Sequence, residues 1–251
     1  MATRAELRAI VRQDASLNST DVISDADLNT LLLEGAVQFA KDGHAFITKT
    51  SWNTAASTSE YVLSGASPKV TGFLEVYWPL DGLIYAPTSS TTKLPGTDFT
   101  IVSEPWLNRE YPGWKELAAS DTLQYVYFGY NSSGYLVLGT VPKASTTTPS
   151  ITLWAVSSGT AMSADANYPY VDGTSALAHI ESYTKGIAYW ALYVLHRDKT
   201  KIKGESDKYL ALYSRLAAQC RDATYQHVKQ AEAIGLRQAG MVVANQTVGS
   251  L

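Results

Sequence analysis

The chain is poor in the residues from which most catalytic and metal centres are built. It has 251 residues but a single cysteine, Cys220, and four histidines, His44, His179, His196 and His227. One thiol excludes an internal disulfide framework and any cysteine-built metal site. Cys220 falls on the apolar side of a predicted helix, where a thiol acts as a small hydrophobe. No two histidines stand four apart and no HExxH or HxxE pattern occurs, so zinc chemistry has no scaffold in the sequence. His179 and His196 share a predicted helix but lie about 25 Å apart along it. Charge is scarce too, at 17% of residues against about a quarter in ordinary globular domains. No run approaches the roughly eighteen apolar residues that span a bilayer. Arg4, Glu6 and Arg8 interrupt any early apolar stretch, so no signal peptide is expected and synthesis in the cytoplasm is.

Motifs of known chemistry are missing as well. There is no GxSxG nucleophile elbow, no Walker loop and no GxGxxG. Asp165 and Asp172 flank Tyr168-Pro169-Tyr170 without the alternating acids of a calcium loop, and read as solvated loop acids. Glu104, Glu110 and Glu116 lie near Trp106, Tyr111 and Trp114, a mixture that invites comparison with glycosidase carboxylate pairs. Such a loop is far more often an aromatic-anchored surface feature. The expectation is a protein without enzymatic activity, cofactor or metal.

What is abundant is aromatic and unevenly charged. The chain carries 16 tyrosines and 6 tryptophans, residues favoured at protein interfaces because one end is buried while the other stays wet. Residues 1–43 hold 4 basic and 7 acidic groups, 44–173 hold 6 and 10, and 174–251 hold 10 and 6. The net charge of −3 argues against a dedicated nucleic-acid binder. The basic last third against an acidic remainder fits ordinary solvated helix faces first, and otherwise a device that orients subunits head to tail or places a mild positive field near DNA.

Periodicity divides the chain into helices, strands and helices, an α+β pattern. Thr3 and Glu6 form a capping box before Leu7, Ile10 and Val11. Ser24 and Asp27 open a second helix with Leu28, Leu31, Leu32, Ala36 and Phe39 on one stripe, which Gly43 closes. Two-residue periodicity then marks strands at 46–49, 60–63, 70–78, 98–102, 123–128, 135–141 and 151–156. The clearest hairpin turns at Asn131-Ser132-Ser133-Gly134. From Thr174 a helix is predicted to run to about Lys201, with Leu177, Ile180, Thr184, Ile187, Trp190, Ala191, Val194 and Leu195 as its stripe. After Gly204 another follows, with Leu210, Tyr213, Leu216, Ala217, Cys220 and Val228 facing inward. A short connection makes such helices pack antiparallel. The predicted architecture is a discontinuous helical bundle with an inserted antiparallel β-sandwich or barrel-like domain and an extended C-terminal tail. Its parts are residues 1–43, the insert 44–173, the helical hairpin 174–234 and the tail 235–251, where periodicity fails after Ala233. The stretch from Pro105 to Trp114 has the composition of an interface hot spot. Trp106, Arg109, Tyr111 and Trp114 are its candidate subunit or tail contacts; the alternative is that these residues fold back to cap the β-core.

In this organisation the chain resembles the head-to-tail adaptor (connector, head-completion) proteins of tailed bacteriophages, especially the larger type of short-tailed phages. The resemblance covers most of residues 24–233. It rests on the acidic-capped helix Asp25-Ala26-Asp27-Leu28-Asn29-Thr30-Leu31-Leu32 leading into an insert, and on the insert's last hairpin, which ends in Val141-Pro142. Beyond it come the strand at 151–156, the loop Asn167-Tyr168-Pro169-Tyr170, the stretch Ile187-Ala188-Tyr189-Trp190-Ala191-Leu192 before a basic turn, and the helix opened by Tyr209 and Tyr213. The resemblance implies a virion structural protein at the head–tail interface, a homo-oligomeric ring, usually twelvefold. Such a ring docks between the portal protein and the tail or nozzle protein. DNA passes through the lumen without sequence-specific binding, and no membrane is involved. It also implies that 235–251 docks on the portal, with Met241, Val242, Val243 and Leu251 as candidate contacts. Alternative readings are a tail nozzle or tail-tube subunit, or a glycan-binding module using the aromatic loops, with a glycoside hydrolase as its enzymatic variant.

Overall fold

The computed structural model describes residues 2–15, 23–65, 67–78, 82–86, 99–159, 162–172 and 175–247. The architecture is α+β, with five α-helices and mixed sheets in the described residues. It divides into two compact units, one of residues up to Phe46 and from Ser158 onward, the other Ile47–Ser157. The strand-rich unit is therefore an insertion, narrower than the expected 44–173.

In the helical unit, α1 (Arg4–Asp14) starts on the capping box of Thr3 and Glu6. Its next free N–H groups, on Arg4 and Ala5, donate to the carbonyls of Asn167 and Asp165. The loop after the insert thus satisfies the orphan donors that every helix start exposes, which places 162–170 with the helices. α2 (Asp25–Gly43) is capped by Ser24, whose hydroxyl accepts from Asp27 N at 3.1 Å. It buries Leu28, Leu32, Ala36 and Phe39. The expected stop at Gly43 is displaced by one residue: Gly43 stays helical, and His44 takes the left-handed position at φ 47°. Gly43 serves closeness instead, since a Cβ there would lie 3.3 Å from Cys220 Cβ.

The helix predicted from Thr174 begins much later. Strands β9 (Val171–Asp172) and β10 (Ser175–Ala176) pair antiparallel. A 3₁₀ segment follows at Ala178–Tyr183, and α4 spans only Lys185–Leu195. A 3₁₀ turn repeats every three residues, so the spacing of Leu177 and Ile180 fits its period as well as an α-helical one, and Thr184 lies just past its end. A π-turn, His196–Thr200, ends α4, and Lys201 in the left-handed region (φ 56°) returns its N–H to the His196 carbonyl. α5 then runs Lys203–Thr247, so the main chain stays helical well past Ala233, where a tail was expected. Its buried stripe is Ser206, Tyr209, Tyr213, Ala217, Cys220 and Thr224. Tyr209 replaces the predicted Leu210 because its ring stacks on His196 at 5.5 Å and its hydroxyl donates to the Asp14 carbonyl. α2 and α4 approach where side chains are missing: a Cβ on Gly186 would meet the Phe39 ring at 2.5 Å, and one on Gly35 the Ile187 carbonyl at 2.9 Å.

The strand-rich unit contains two four-stranded sheets. In the first, β8 (Ser150–Ser157) is central. One side pairs along its whole length with β1 (Ile47–Asn53). The other is shared between β4 (Leu83–Ala86), a strand the sequence pattern missed, and β3 (Phe73–Val76). In the second sheet, β2 (Glu60–Val62), β7 (Leu136–Val141), β6 (Tyr125–Tyr130) and β5 (Thr100–Ser103) lie in that order. Tyr61, Val126 and Leu138 from this sheet share a core with Leu83, Tyr85, Ile151 and Leu153 of the first. One pairing departs from the antiparallel expectation: β5 runs parallel to β6. Parallel neighbours need a crossover of a dozen or more residues, and here it carries α3 (Glu104–Glu110) and a 3₁₀ turn at Trp114–Glu116. Asp98, at the expected start of β5, lies outside the described residues.

Candidate functional site

Among the described residues no group of three or more His, Cys, Asp or Glu side chains could hold a metal ion. The candidate reactive groups are locked into local structure. Cys220 is fully buried, and burial pushes its thiol up to about 12. Of the three glutamates weighed as sugar-cleaving acids, Glu104 accepts from Lys115 at 3.3 Å and Glu110 from its neighbour Arg109 at 2.5 Å. His179 and His227 are brought together by the fold, their rings stacked 4.3 Å apart and nearly parallel. Burial, helped by His227, lowers the His179 pKa. Sequence spacing held no sign of this pair, because 48 positions separate the two rings in the chain.

The predicted contact loop is the crossover itself. Ser103 caps α3 by accepting from Trp106 N at 3.2 Å, and Pro105 sits in the first turn. Ser103, Pro105 and the last-turn Arg109 are helix signals in the sequence, masked there by the density of aromatics. Trp114 is only 6% exposed; it joins Leu107, Tyr127 and Val141 in a second core on the face of β6 and β7 that α3 covers. Its indole N–H donates to Asn108 Oδ1 at 2.9 Å. Trp106 and Tyr111 pack partly buried against Tyr125, with ring centroids at 5.6 and 5.8 Å. Arg109 alone of the four is well exposed. Glu60, Gly139 and Tyr127 stand in one register row, and the Tyr127 ring crosses the glycine to donate to Glu60 Oε1 at 2.9 Å. A cleft of about 140 Å³ opens beside this row, lined among others by Trp114, Lys115 and Lys143. The well-exposed aromatics of this unit are others: Tyr130 at 73% and Trp78 at 49%.

In the helical unit, Asp165 is a solvent-exposed loop acid, as expected, but it is also paired. It takes Arg8 at 2.9 Å on one oxygen and Arg4 at 2.7 Å on the other. Arg8 reaches on to Asp25 at 3.6 Å, and Arg12 meets Asp25 at 2.6 Å. The arginines on one face of α1 thereby tie α2 and the 162–170 loop together, and hydrogen bonds from Arg8 and Arg4 lower the Asp165 pKa.

The turn between α4 and α5 is densely charged, with Arg197, Asp198, Lys199, Lys201 and Lys203 within seven residues. Arg197 is held by Asp198 at 2.6 Å and donates to the Tyr193 hydroxyl at 3.2 Å. Lys199, Lys201 and Lys203 form no ion pair with any described residue. A cleft of about 320 Å³ opens there, lined by Tyr193, Arg197, Lys201, Lys203 and Leu210 together with His196, Ser206 and Asp207. Ile202, 50% exposed, stands among the lysines. Of the predicted docking residues, Met241, Val242 and Val243 lie on the helical main chain of α5, and Leu251 lies outside the described residues. No helix among the described residues is long and apolar enough to cross a membrane. Compared with known proteins, the chain matches no family model and no curated protein.

Proposed function

We propose that the chain is a virion structural subunit: a non-enzymatic, ring-forming head-to-tail adaptor that links the portal to the tail of a bacteriophage and surrounds the DNA channel. In this reading the helical unit is a discontinuous bundle that builds the ring wall, and the strand-rich unit is a sandwich inserted into it. The observation that carries the reading is the construction of the helical unit. Its N-terminal and C-terminal segments fold as one unit, the stretch between them in sequence folds as another, and α5 runs 45 residues. At 1.5 Å per residue that is about 68 Å, longer than most single domains need for their own core. The last buried residue described on α5 is Thr224, while its main chain stays helical to Thr247. A long helix whose end carries Met241, Val242 and Val243 suits insertion into a groove of a neighbouring ring by its apolar residues.

The test is deletion of residues 235–251. The shortened chain is expected to keep the circular dichroism of its remaining helices and to lose co-sedimentation with the cognate portal ring. Normal docking by the shortened chain would overturn the assignment of the docking segment. Failure of the full chain to dock on a portal at all would overturn the adaptor reading.

A further inference from the structure

Two surfaces of the helical unit are opposite in charge and both carry exposed aliphatic side chains, and we infer that they are the two halves of a contact between successive copies of this chain. The inference rests on the ring-forming reading and adds to it the residues that make the ring.

The first surface is the α4–α5 turn. Lys199, Lys201 and Lys203 have no ionic partner among the described residues, so the turn carries uncompensated positive charge. At its tip Ile202 is half exposed, and the adjoining cleft has Leu210 in its wall. At about 320 Å³ it falls at the small end of the range for sites that seat a ligand, about 300–1,000 Å³. It is roomy enough for a pair of aliphatic side chains.

The second surface is the outward face of α2. At 100° per residue, Thr30, Leu33, Glu34, Val37 and Lys41 fall within one quadrant or so of the helix, opposite the buried stripe. All five are exposed. Leu33 and Val37, the latter at 42%, form an apolar ridge four residues apart, where side chains on a helix are neighbours. Glu34 stands beside them without an ion pair to any described residue, and Asp27 extends the acidic edge toward the helix start. Lys41 closes the ridge at its other end. An aliphatic ridge edged by acids is the counterpart of a turn whose aliphatic groups, Ile202 and Leu210, are edged by lysines, even with Asp207 in the cleft wall.

A nucleic acid would satisfy the lysines but leave Ile202 and Leu210 against water or phosphate. An aliphatic ridge with carboxylates covers both kinds of group at once. Because the two surfaces differ, the contact is heterologous: each copy that docks leaves one ridge and one turn free, so growth continues until the ring closes.

The experiment uses the full chain in two variants. Lys201→Glu/Lys203→Glu disables the turn, and Leu33→Asp/Val37→Asp disables the ridge; all four positions are exposed, and unchanged thermal melts establish that both variants fold. Sedimentation velocity at rising concentration is expected to show the parent associating, more weakly as salt screens the charges. Each variant should associate about tenfold or more weakly. Mixed together, the two variants should form one-to-one dimers that grow no further, since the intact ridge of one meets the intact turn of the other. Association of both variants like the parent would overturn the assignment of these surfaces while leaving the ring intact. Complete absence of self-association by the parent, even at low salt, would overturn the ring reading itself. If duplex DNA binds the parent and the lysine variant loses that binding but not self-association, the turn belongs to a nucleic acid and the inference fails.

Discussion

Replacing Gly139 by alanine tests how the second core of the strand-rich unit is built. Propensity alone predicts a gain, because glycine inside a strand costs about 0.5–1 kcal/mol relative to alanine. The structure predicts the opposite sign. A Cβ at position 139 would lie 2.0 Å from Tyr127 Cε1 and 2.1 Å from Cζ. The ring has nowhere to retreat: Tyr127 is buried, with Trp114 edge-on at 5.2 Å and Leu107 and Val141 completing its cage. Overpacking of this kind costs about 1–3 kcal/mol. Displacing the ring also breaks the hydrogen bond to Glu60, whose carboxylate is exposed and can turn to water, so that loss adds on the order of 1 kcal/mol. Less the propensity gain, the expected net loss is about 1–3.5 kcal/mol, or roughly 2–14 °C in Tm for a chain of this size. Urea denaturation followed by tryptophan fluorescence reads it directly, Trp114 being in contact with the disturbed ring. The same Gly139→Ala change placed on a Tyr127→Ala background should cost nothing, because the clash is gone. A Gly139→Ala protein as stable as the parent, or an equal penalty in both backgrounds, would refute the packing argument.

Two further outcomes follow from the helical unit. The folded-state pKa of Asp165 is lowered by Arg8 and Arg4, so its stabilising contribution is complete above the ordinary value of 3.8 and fades as pH falls through the depressed one. Asp165→Asn is therefore expected to be less stable than the parent at neutral pH, with the difference shrinking toward about pH 3 in urea titrations across that range. Equal stability at neutral pH would contradict the clamp. Cys220, fully buried and with its thiol pushed up to about 12, should resist iodoacetamide in the native protein and react on unfolding. Rapid native labelling, read by mass spectrometry, would show that α2 and α5 do not stay closed over it.

Local signals announced much of this molecule. Thr3 with Glu6 and Ser24 with Asp27 place helix starts by backbone capping, which needs no distant partner, and α1 and α2 begin where those residues stand. The Tyr125–Val141 hairpin was legible for the same reason: Asn131 accepts from the N–H groups of Ser133 and Tyr135 within its own turn. The stripe of α2 follows from apolar spacing, as do Ile187, Ala191 and Leu195 on α4, where Leu192 is buried in place of Trp190 and Val194; a single cysteine by itself excludes a cysteine-built centre.

What only the tertiary structure decided involves partners far apart in sequence or periods that two conformations share. The three-residue spacing of Leu177 and Ile180 suits a 3₁₀ segment and an α-helix alike, and it is β10 pairing with β9 that delays the α-helix to Lys185. By composition Trp114 and Tyr111 suit a contact surface and a cap on the β-core alike; β5 lying parallel to β6 makes their stretch a crossover that covers a sheet. Asp165 became a clamp only because the 162–170 loop returns to the start of α1. Periodicity sorts residues into inward and outward faces. It does not say which outward residues find a partner within the chain, and for the lysines of the α4–α5 turn and the ridge of α2 that difference is visible only once every neighbour is in place.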